Sequence, residues 1–173
     1  MNSTKREMLM QKLPAAADIL ALVPVSGEKG RNATLIHTVT GACLTLSATT
    51  EYVLSCLAER EDKELRLIRQ NASRRLARRR NIILPILHGC VLAPVVVRRI
   101  PKRHGRLGYI NIAYKPLLAS SGNTTDLALR SGTVIRALCQ LPTVQRLVCE
   151  GRAVHYKLLL DVQQQLRRAE EFA

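Results

Sequence analysis

A dense block of cationic side chains runs through the middle of this 173-residue chain. Between Arg60 and Arg106 lie fourteen Lys and Arg residues but only three acids, which gives a net charge of +11 out of +14 for the whole chain. Charges at this density repel one another and destabilise a compact fold unless an anionic partner lies against them. A nucleic-acid backbone is such a partner, because each neutralised phosphate releases a condensed counterion. The block therefore predicts an anion-binding surface on the fold that carries it.

The rest of the chain has enough apolar residues to build a hydrophobic core. They make up 47% of the sequence, and the mean hydropathy is 0.00. This composition and length predict one folded domain rather than a disordered chain. Aromatic residues are only 3%, so the core must be aliphatic. Their scarcity argues against a base-stacking platform for RNA or single strands.

Other kinds of site are not indicated by the sequence. The five cysteines contain no Cys-x-x-Cys pair and mostly lie in apolar runs, which predicts reduced thiols in a cytoplasmic protein and no metal site. We find no catalytic constellation and no cofactor motif, so we expect neither an enzyme nor a cofactor. No apolar stretch is long enough to span a membrane, and Lys12 and Pro14 interrupt the N-terminal stretch too strongly for a signal peptide.

The residue pattern predicts an α+β domain whose β-rich core is made of antiparallel strands and hairpins. Residues 1–32 are predicted to be a partly helical N-terminal extension, and residues 33–173 a single domain. Pro85 and Pro94 mark their strands as edge strands or strands with bulges, because proline has no N–H to donate. The predicted strands are residues 33–39, 42–47, 49–57, 82–87, 91–97, 107–114, 124–129 and 133–138.

Three helical segments are predicted, one of them basic and in the middle of the chain. Residues 62–80 place Leu65, Ile68 and Ala72 on one stripe, although the same segment also suits a connecting loop. Residues 141–149 and 154–172 are predicted to be two C-terminal helices separated by Gly151. The apolar face of the last helix suits two arrangements, packing on the sheet or pairing with a second copy.

Several short motifs follow one another in a fixed order from the end of the first hairpin onward. They combine a Ser-Cys pair, a small basic segment, two proline-containing strands, an aromatic-Ile-Asn segment, a hairpin and a helix. The motifs are Ser55-Cys56, Asn71-Ala72-Ser73-Arg74-Arg75, Leu84-Pro85-Ile86-Leu87, Ala93-Pro94-Val95, Tyr109-Ile110-Asn111, the hairpin of residues 124–138, and Gln145.

In this order and spacing, over roughly residues 33–150, the chain resembles the ComK family of bacterial competence transcription factors. The resemblance implies a cytoplasmic activator of DNA-uptake genes that binds A/T-rich promoter boxes through the minor groove. It also implies a homodimer or higher homo-oligomer, and control by an adaptor that directs proteolysis. Residues 33–173 would then form the DNA-binding domain.

Two arginine-rich segments are the predicted contacts with double-stranded DNA. A narrow A/T-rich minor groove has a deepened negative potential that attracts inserted arginine side chains. Arginine suits this position better than lysine because its planar guanidinium is more weakly hydrated. The predicted DNA-binding residues are Arg74, Arg75, Arg78, Arg79, Arg80, Arg98, Arg99, Lys102, Arg103 and Arg106.

Three alternatives to DNA stay open on the residues alone. RNA- or ribosome-associated proteins share this basic composition, and so do interaction modules for an acidic protein partner. An arginine run is also commonly a solvated helix face with no ligand.

Overall fold

The computed structural model describes residues 3–99 and 105–171. Within them, two antiparallel sheets and four helices form a mixed α+β fold, which confirms the predicted fold class. The helices are α1 (Ser3–Lys12), α2 (Thr50–Arg60), α3 (Leu65–Leu76) and α4 (Leu141–Glu171). The strands are β1 (Ile19–Ser26), β2 (Asn32–Thr38), β3 (Cys43–Leu46), β4 (Leu84–Leu87), β5 (Cys90–Val96), β6 (Leu107–Asn111), β7 (Leu117–Ser121), β8 (Thr124–Ala128) and β9 (Val134–Ala137).

The larger sheet is covered on both faces, so its inner strands β1, β5 and β6 are buried on both sides. Its order is β3-β2-β1-β6-β5-β4, and β7-β8-β9 form the smaller sheet. Along β5, Cys90 and Leu92 pack in the core under α1, α2 and α3. The alternate residues Val91, Ala93 and Val95 pack in a second core, under the smaller sheet and the first half of α4. This alternation explains why β5 is a continuous hydrophobic run in the sequence.

Strand β1 lies near the centre of the larger sheet, between β2 and β6. Ser26 pairs with Asn32 of β2, and Leu22 pairs with Tyr109 of β6. Residues 19–26, predicted as part of an N-terminal extension, therefore form an inner strand of the larger sheet, and residues 3–12 of the same stretch form helix α1. A strand that is buried on both faces lacks the polar alternation by which strands are usually found.

Both proline-containing strands belong to the sheet, in different positions. Strand β4 is an edge strand with a register shift between Pro85 and Leu87, as its proline predicts. Strand β5 is an interior strand, and this differs from the expectation. The pairing of β5 with β4 ends where Leu92 lies opposite Leu84. Pro94 lies beyond this point, so its missing N–H removes no hydrogen bond from that ladder.

Residues 49–57, predicted as a strand, belong to helix α2 and its N-cap. The Thr49 hydroxyl accepts a hydrogen bond from the Tyr52 N–H at 3.3 Å, which satisfies one free donor of the first turn. Val53, Leu54 and Leu57 of α2 are fully buried, on the side of the larger sheet that the helices cover. Burial at helical spacing thus outweighs the β-branched residues that favoured a strand.

The two C-terminal helices predicted from the sequence are one continuous helix, α4, of 31 residues. Gly151 does not end a helix but lets α4 approach the short 3-10 turn Ile112–Tyr114. A Cβ at this position would lie 2.9 Å from Cγ1 of Ile112. The glycine therefore serves close packing, which the sequence pattern cannot distinguish from a helix stop.

The side chain of Asn111, at the end of β6, joins four parts of the chain. Its amide nitrogen donates to the carbonyls of Ile19 at 2.8 Å and Gly89 at 3.0 Å. Its oxygen accepts from the N–H groups of Val91 at 3.1 Å and Ala113 at 3.2 Å. The residue is 1% exposed, so this one amide satisfies four backbone groups with its full hydrogen-bonding capacity.

We expect Asn111→Leu to lower the free energy of unfolding by about 3 kcal/mol or more, because it leaves these backbone groups buried without partners. Urea denaturation measures the loss. The matched control is Asn123→Leu, at an exposed position in the β7–β8 turn, where a change within about 0.5 kcal/mol is expected. Equal stability of the two variants would contradict the role given to Asn111.

Candidate nucleic-acid interface

The strand register brings several basic segments to one end of the larger sheet. Strand β5 ends and β6 begins there, since Val96 pairs with Leu107. The turn between β1 and β2 lies at the same end, because Ser26 and Asn32 are the last pair of that ladder. Arg98 bridges the two places by donating to the Ser26 hydroxyl at 2.9 Å. This end of the sheet is the candidate interface.

The arginines after β5 and before β6 stand on an extension of the β5–β6 ladder. The Val97 N–H donates to the Arg106 carbonyl at 2.9 Å, which continues the pairing beyond Val96. Arg99 and Arg106 are exposed, and Arg98 is half-buried against β1. The predicted contacts Lys102 and Arg103 lie outside the described residues.

The arginine run that begins in α3 changes conformation at Ala77. Helix α3 covers Leu65–Leu76, so the helix predicted over residues 62–80 is shorter at both ends. Ala77 adopts the left-handed conformation (φ 49°, ψ 37°), and its N–H donates to the Arg74 carbonyl. The Arg78 N–H donates to the Ser73 carbonyl at 3.1 Å, which completes a Schellman motif. Both expectations for this segment, helix and loop, thus hold for different parts of it.

The segment Arg78-Arg79-Arg80 is bounded by two left-handed residues. Ala77 precedes it with φ 49°, and Asn81 follows it with φ 50°. Two such residues fix the chain direction on both sides, and neither has the freedom of glycine. Asn81 lines a small cleft with Val95 and Leu107, so the segment runs beside the end of β5. The cationic segment is therefore held against the same end of the sheet as the β5–β6 arginines.

We expect Ala77→Gly to raise the free energy of unfolding by about 0.5–1 kcal/mol, because glycine adopts this conformation without the steric cost of a Cβ. Thermal and urea denaturation measure the gain. The control is Ala153→Gly at an exposed position inside α4, which should lose about 1 kcal/mol. If both variants lose stability, the left-handed cap at Ala77 is not formed in solution.

Arg78 is not available to a ligand in the way that its neighbours are. Its Nη1 lies 3.0 Å from Oε2 of Glu150 on α4, and the two side chains are 22% and 30% exposed. Neither atom makes a hydrogen bond of good geometry in the described structure, so this contact is a charge pair rather than a directional bond. The pair ties the arginine segment to α4.

Arg78→Ala should lower the free energy of unfolding by about 1–2 kcal/mol, since it leaves the partly buried Glu150 carboxylate without its counter-charge. Arg79→Ala is the matched control and should change stability by less than about 0.5 kcal/mol, because Arg79 is exposed. The double variant Arg78→Ala with Glu150→Ala should recover part of the loss. Identical unfolding curves for Arg78→Ala and Arg79→Ala would rule out a stabilising charge pair.

Two arginines of α3 are paired with acids in the described structure, and two are not. Arg66 pairs with Glu64 at 3.0 Å, and Arg69 holds Glu51 with a contact of 2.6 Å between Nη2 and Oε2. The hydrogen bond to Glu51 raises the pKa of Arg69 above its ordinary value. The predicted contacts Arg74 and Arg75 are exposed in the last turn of α3.

Two arginines that sequence reasoning missed lie at the same end of the sheet. Arg31 follows the turn after β1 and is exposed. Arg146 of α4 lines the cleft that contains Arg78 and Asn81. Neither belongs to an arginine run, so only the topology reveals them. We call the following set the basic rim: Arg31, Arg79, Arg80, Arg98, Arg99, Arg106 and Arg146.

The basic rim has an excess of unpaired positive charge. Among the described residues, no acid forms an ion pair with Arg79, Arg80, Arg99 or Arg106. The acid nearest in sequence to the rim is Glu28, whose carbonyl accepts from the Arg31 N–H at 3.2 Å. Neighbouring strands lie about 5 Å apart, so a rim that extends from the β1–β2 turn across β6 and β5 spans roughly 15 Å.

The remaining reactive side chains form no second candidate site. In the described ranges, no group of three or more His, Cys, Asp or Glu residues is arranged to hold a metal ion. Cys56 and Cys90 are buried, and burial raises the pKa of the Cys90 thiol to about 12. The exposed Cys43 lies 3.3 Å from Nδ1 of His37, whose pKa is lowered by burial. Burial raises the pKa of the Cys56 thiol as well, which disfavours a reactive thiolate at these two buried positions.

No family model matches this chain, and no curated protein or solved structure matches it either. Within residues 3–99 and 105–171, no helix is both long and apolar enough to pass through a lipid bilayer.

Proposed function

We propose that this protein is a ComK-like, DNA-binding transcriptional activator of competence genes, and that the basic rim contacts A/T-rich duplex DNA. The observation that carries the proposal is that several arginines are paired with acids of the protein, whereas the arginines of the basic rim are not. Arg66, Arg69 and Arg78 are neutralised by acids of the protein itself. The arginines gathered at the rim have no such partners in the described structure, and the free energy of their repulsion falls when phosphates lie against them.

The chemistry of the rim favours the DNA duplex over single strands. All its members are arginines, and arginine is the side chain preferred in a narrow minor groove. None of the rim residues is aromatic, and Tyr109, the aromatic residue nearest to it along β6, is only 7% exposed. A surface without exposed rings has no platform on which unpaired bases can stack.

Local backbone conformation and hydrogen bonds hold part of the rim in a defined position. Arg79 and Arg80 lie between two left-handed residues, and Arg106 continues the β5–β6 ladder. Side chains held on a fixed backbone lose less freedom on binding than those on a mobile tail. We infer contacts to the phosphates and to groove shape rather than hydrogen bonds to base edges.

The sequence resemblance supports the remaining parts of the proposal. It supports a cytoplasmic homodimer or higher homo-oligomer that is controlled by a proteolytic adaptor. The proposed activity uses no cofactor, no metal ion and no catalytic residue.

Fluorescence anisotropy with three labelled ligands tests the proposal: an A/T-tract duplex, a G/C-rich duplex of the same length, and a structured RNA. Each is titrated with the full chain at two salt concentrations. Preference for the A/T duplex at the higher salt is expected. Preference for the RNA would instead favour the alternative that this is an RNA- or ribosome-associated protein. Only weak binding to all three, with a Kd of about 10⁻⁴–10⁻⁶ M at physiological salt, would favour an acidic protein partner.

Arg79→Ala with Arg80→Ala should weaken binding to every duplex and reduce the slope of log K against log salt by up to about two, because two phosphate contacts are lost. The control is Arg130→Ala with Arg152→Ala, two exposed arginines outside the basic rim. It removes the same charge and should leave the slope nearly unchanged. Equal slopes for the two double variants would remove residues 79 and 80 from the interface.

A further inference from the structure

A groove lies at the open edge of the larger sheet, where the helices of its two faces meet. Helix α3 belongs to one face, because Leu65 and Ile68 pack in the core under α1, α2 and α3. Helix α4 belongs to the other face, because Val144 and Val148 pack in the second core. Both helices contact β4, which is an edge strand of this sheet. The space between them has a volume of about 550 Å³, and we call it the edge groove.

The lining of the edge groove is largely apolar. Leu67 and Leu76 of α3 contribute to one side, and Val154 and Leu158 of α4 contribute to the other. Pro85 of β4 also lines the groove. Leu67 is 43% exposed, so the apolar surface is accessible from solvent. The groove therefore favours a ligand with an apolar body.

The shape of the edge groove favours a small ligand over a polypeptide segment. Pro85 has no N–H to donate to an added strand, and the Ile86 carbonyl already accepts from Nζ of Lys63 at 2.5 Å. One turn of helix with its side chains fills about 500 Å³, so the groove holds little more than a single turn. Its volume instead lies within the range of about 300–1,000 Å³ that is usual for small-molecule pockets.

Two cations that line the edge groove have no acidic partner. Among the described residues, no acid forms an ion pair with Arg75 or Lys157, and both are exposed. The third cation, Lys63, differs because it lies between the acids Asp62 and Glu64 in the chain. The excess positive charge of the groove is therefore located at Arg75 and Lys157. A ligand that fits both the lining and the charge combines an apolar body with an anionic group.

We propose that the edge groove binds a single-chain anionic amphiphile, namely a free alkyl carboxylate of the fatty-acid type. The alkyl chain lies between the apolar sides of α3 and α4, and the carboxylate is paired with Arg75 and Lys157. The planar guanidinium of Arg75 suits a carboxylate, which can accept two parallel hydrogen bonds from it. This inference goes beyond the proposed function and does not depend on it.

Isothermal titration calorimetry of the full chain without nucleic acid tests the ligand class. The probes are octanoate, decanoate and dodecanoate below their micelle concentrations. One carboxylate should bind per chain, and its Kd should fall by about twofold to fourfold for each added methylene, because more of the alkyl chain is buried. Absence of saturable binding, or a Kd that does not change with chain length, would overturn the proposal.

The charge preference is tested with probes of equal chain length. Decanol should bind about threefold to tenfold more weakly than decanoate at low salt, because it makes no ion pair. Decyltrimethylammonium should bind more weakly still. Equal binding of decanoate and decanol would rule out an anionic ligand for this groove.

A substitution in the wall of the edge groove tests the location. Leu67→Glu should weaken decanoate binding by about tenfold or more, because it places a carboxylate beside the bound chain. The matched control is Leu117→Glu, at a position 75% exposed on β7 and outside the groove, which should keep the wild-type Kd. Circular dichroism checks that both variants are folded. The same Kd in the two variants would show that the ligand binds elsewhere.

Arg75→Gln with Lys157→Gln should abolish the preference for decanoate over decanol and leave the Kd of decanol nearly unchanged. The control is Arg130→Gln with Arg152→Gln, two exposed arginines that do not line the groove. It removes the same charge and should keep the preference. A preference that survives in the first double variant would contradict the position assigned to the carboxylate.

Discussion

The buried amide of Asn111 is the interaction on which the arrangement of the larger sheet depends. Strands β1 and β5 begin at this point and β6 ends there, so their terminal backbone groups have no ladder partners. A single side chain supplies partners to the Ile19 and Gly89 carbonyls and to the Val91 and Ala113 N–H groups. Because buried backbone groups must be satisfied, the amide fixes how the three strands meet. It thereby fixes the register of β6 against β1 and β5.

That register determines what lies at the opposite end of the sheet. With Leu22 opposite Tyr109 and Val96 opposite Leu107, the arginines that flank β5 and β6 come next to the turn after β1. The two cores hold the sheet from both faces, and the Arg78–Glu150 pair adds the α3–β4 connection to the same assembly. A polar residue at one end of the fold thus positions the cationic side chains at the other.

The sequence predicted those parts of the fold that depend on local conformation. The hairpins at Gly41 and Gly132 follow from residues that adopt positive φ. Strand β1 was missed because a strand that is buried on both faces lacks the usual polar alternation. Helix α2 was missed because burial at helical spacing and a cap at Thr49 outweigh its local strand-like pattern. Gly151 was misread because its partner, Ile112, is distant in sequence. The two arginine runs are local features and can be found in the sequence. Arg31 and Arg146 are distant from them in sequence, and only the tertiary structure places them at the same end of the sheet.

The continuity of α4 through Gly151 fixes how its C-terminal half is oriented relative to the basic rim. One helix carries Arg146 of the rim and Glu150, the partner of Arg78, and then continues to Glu171. The direction in which the exposed Leu159 and Leu166 point is therefore set by a count of helical residues rather than by the reach of a flexible linker. Each residue inserted between Glu150 and Leu159 would move the C-terminal half of α4 by about 1.5 Å along the helix axis and rotate it by about 100° relative to the rim.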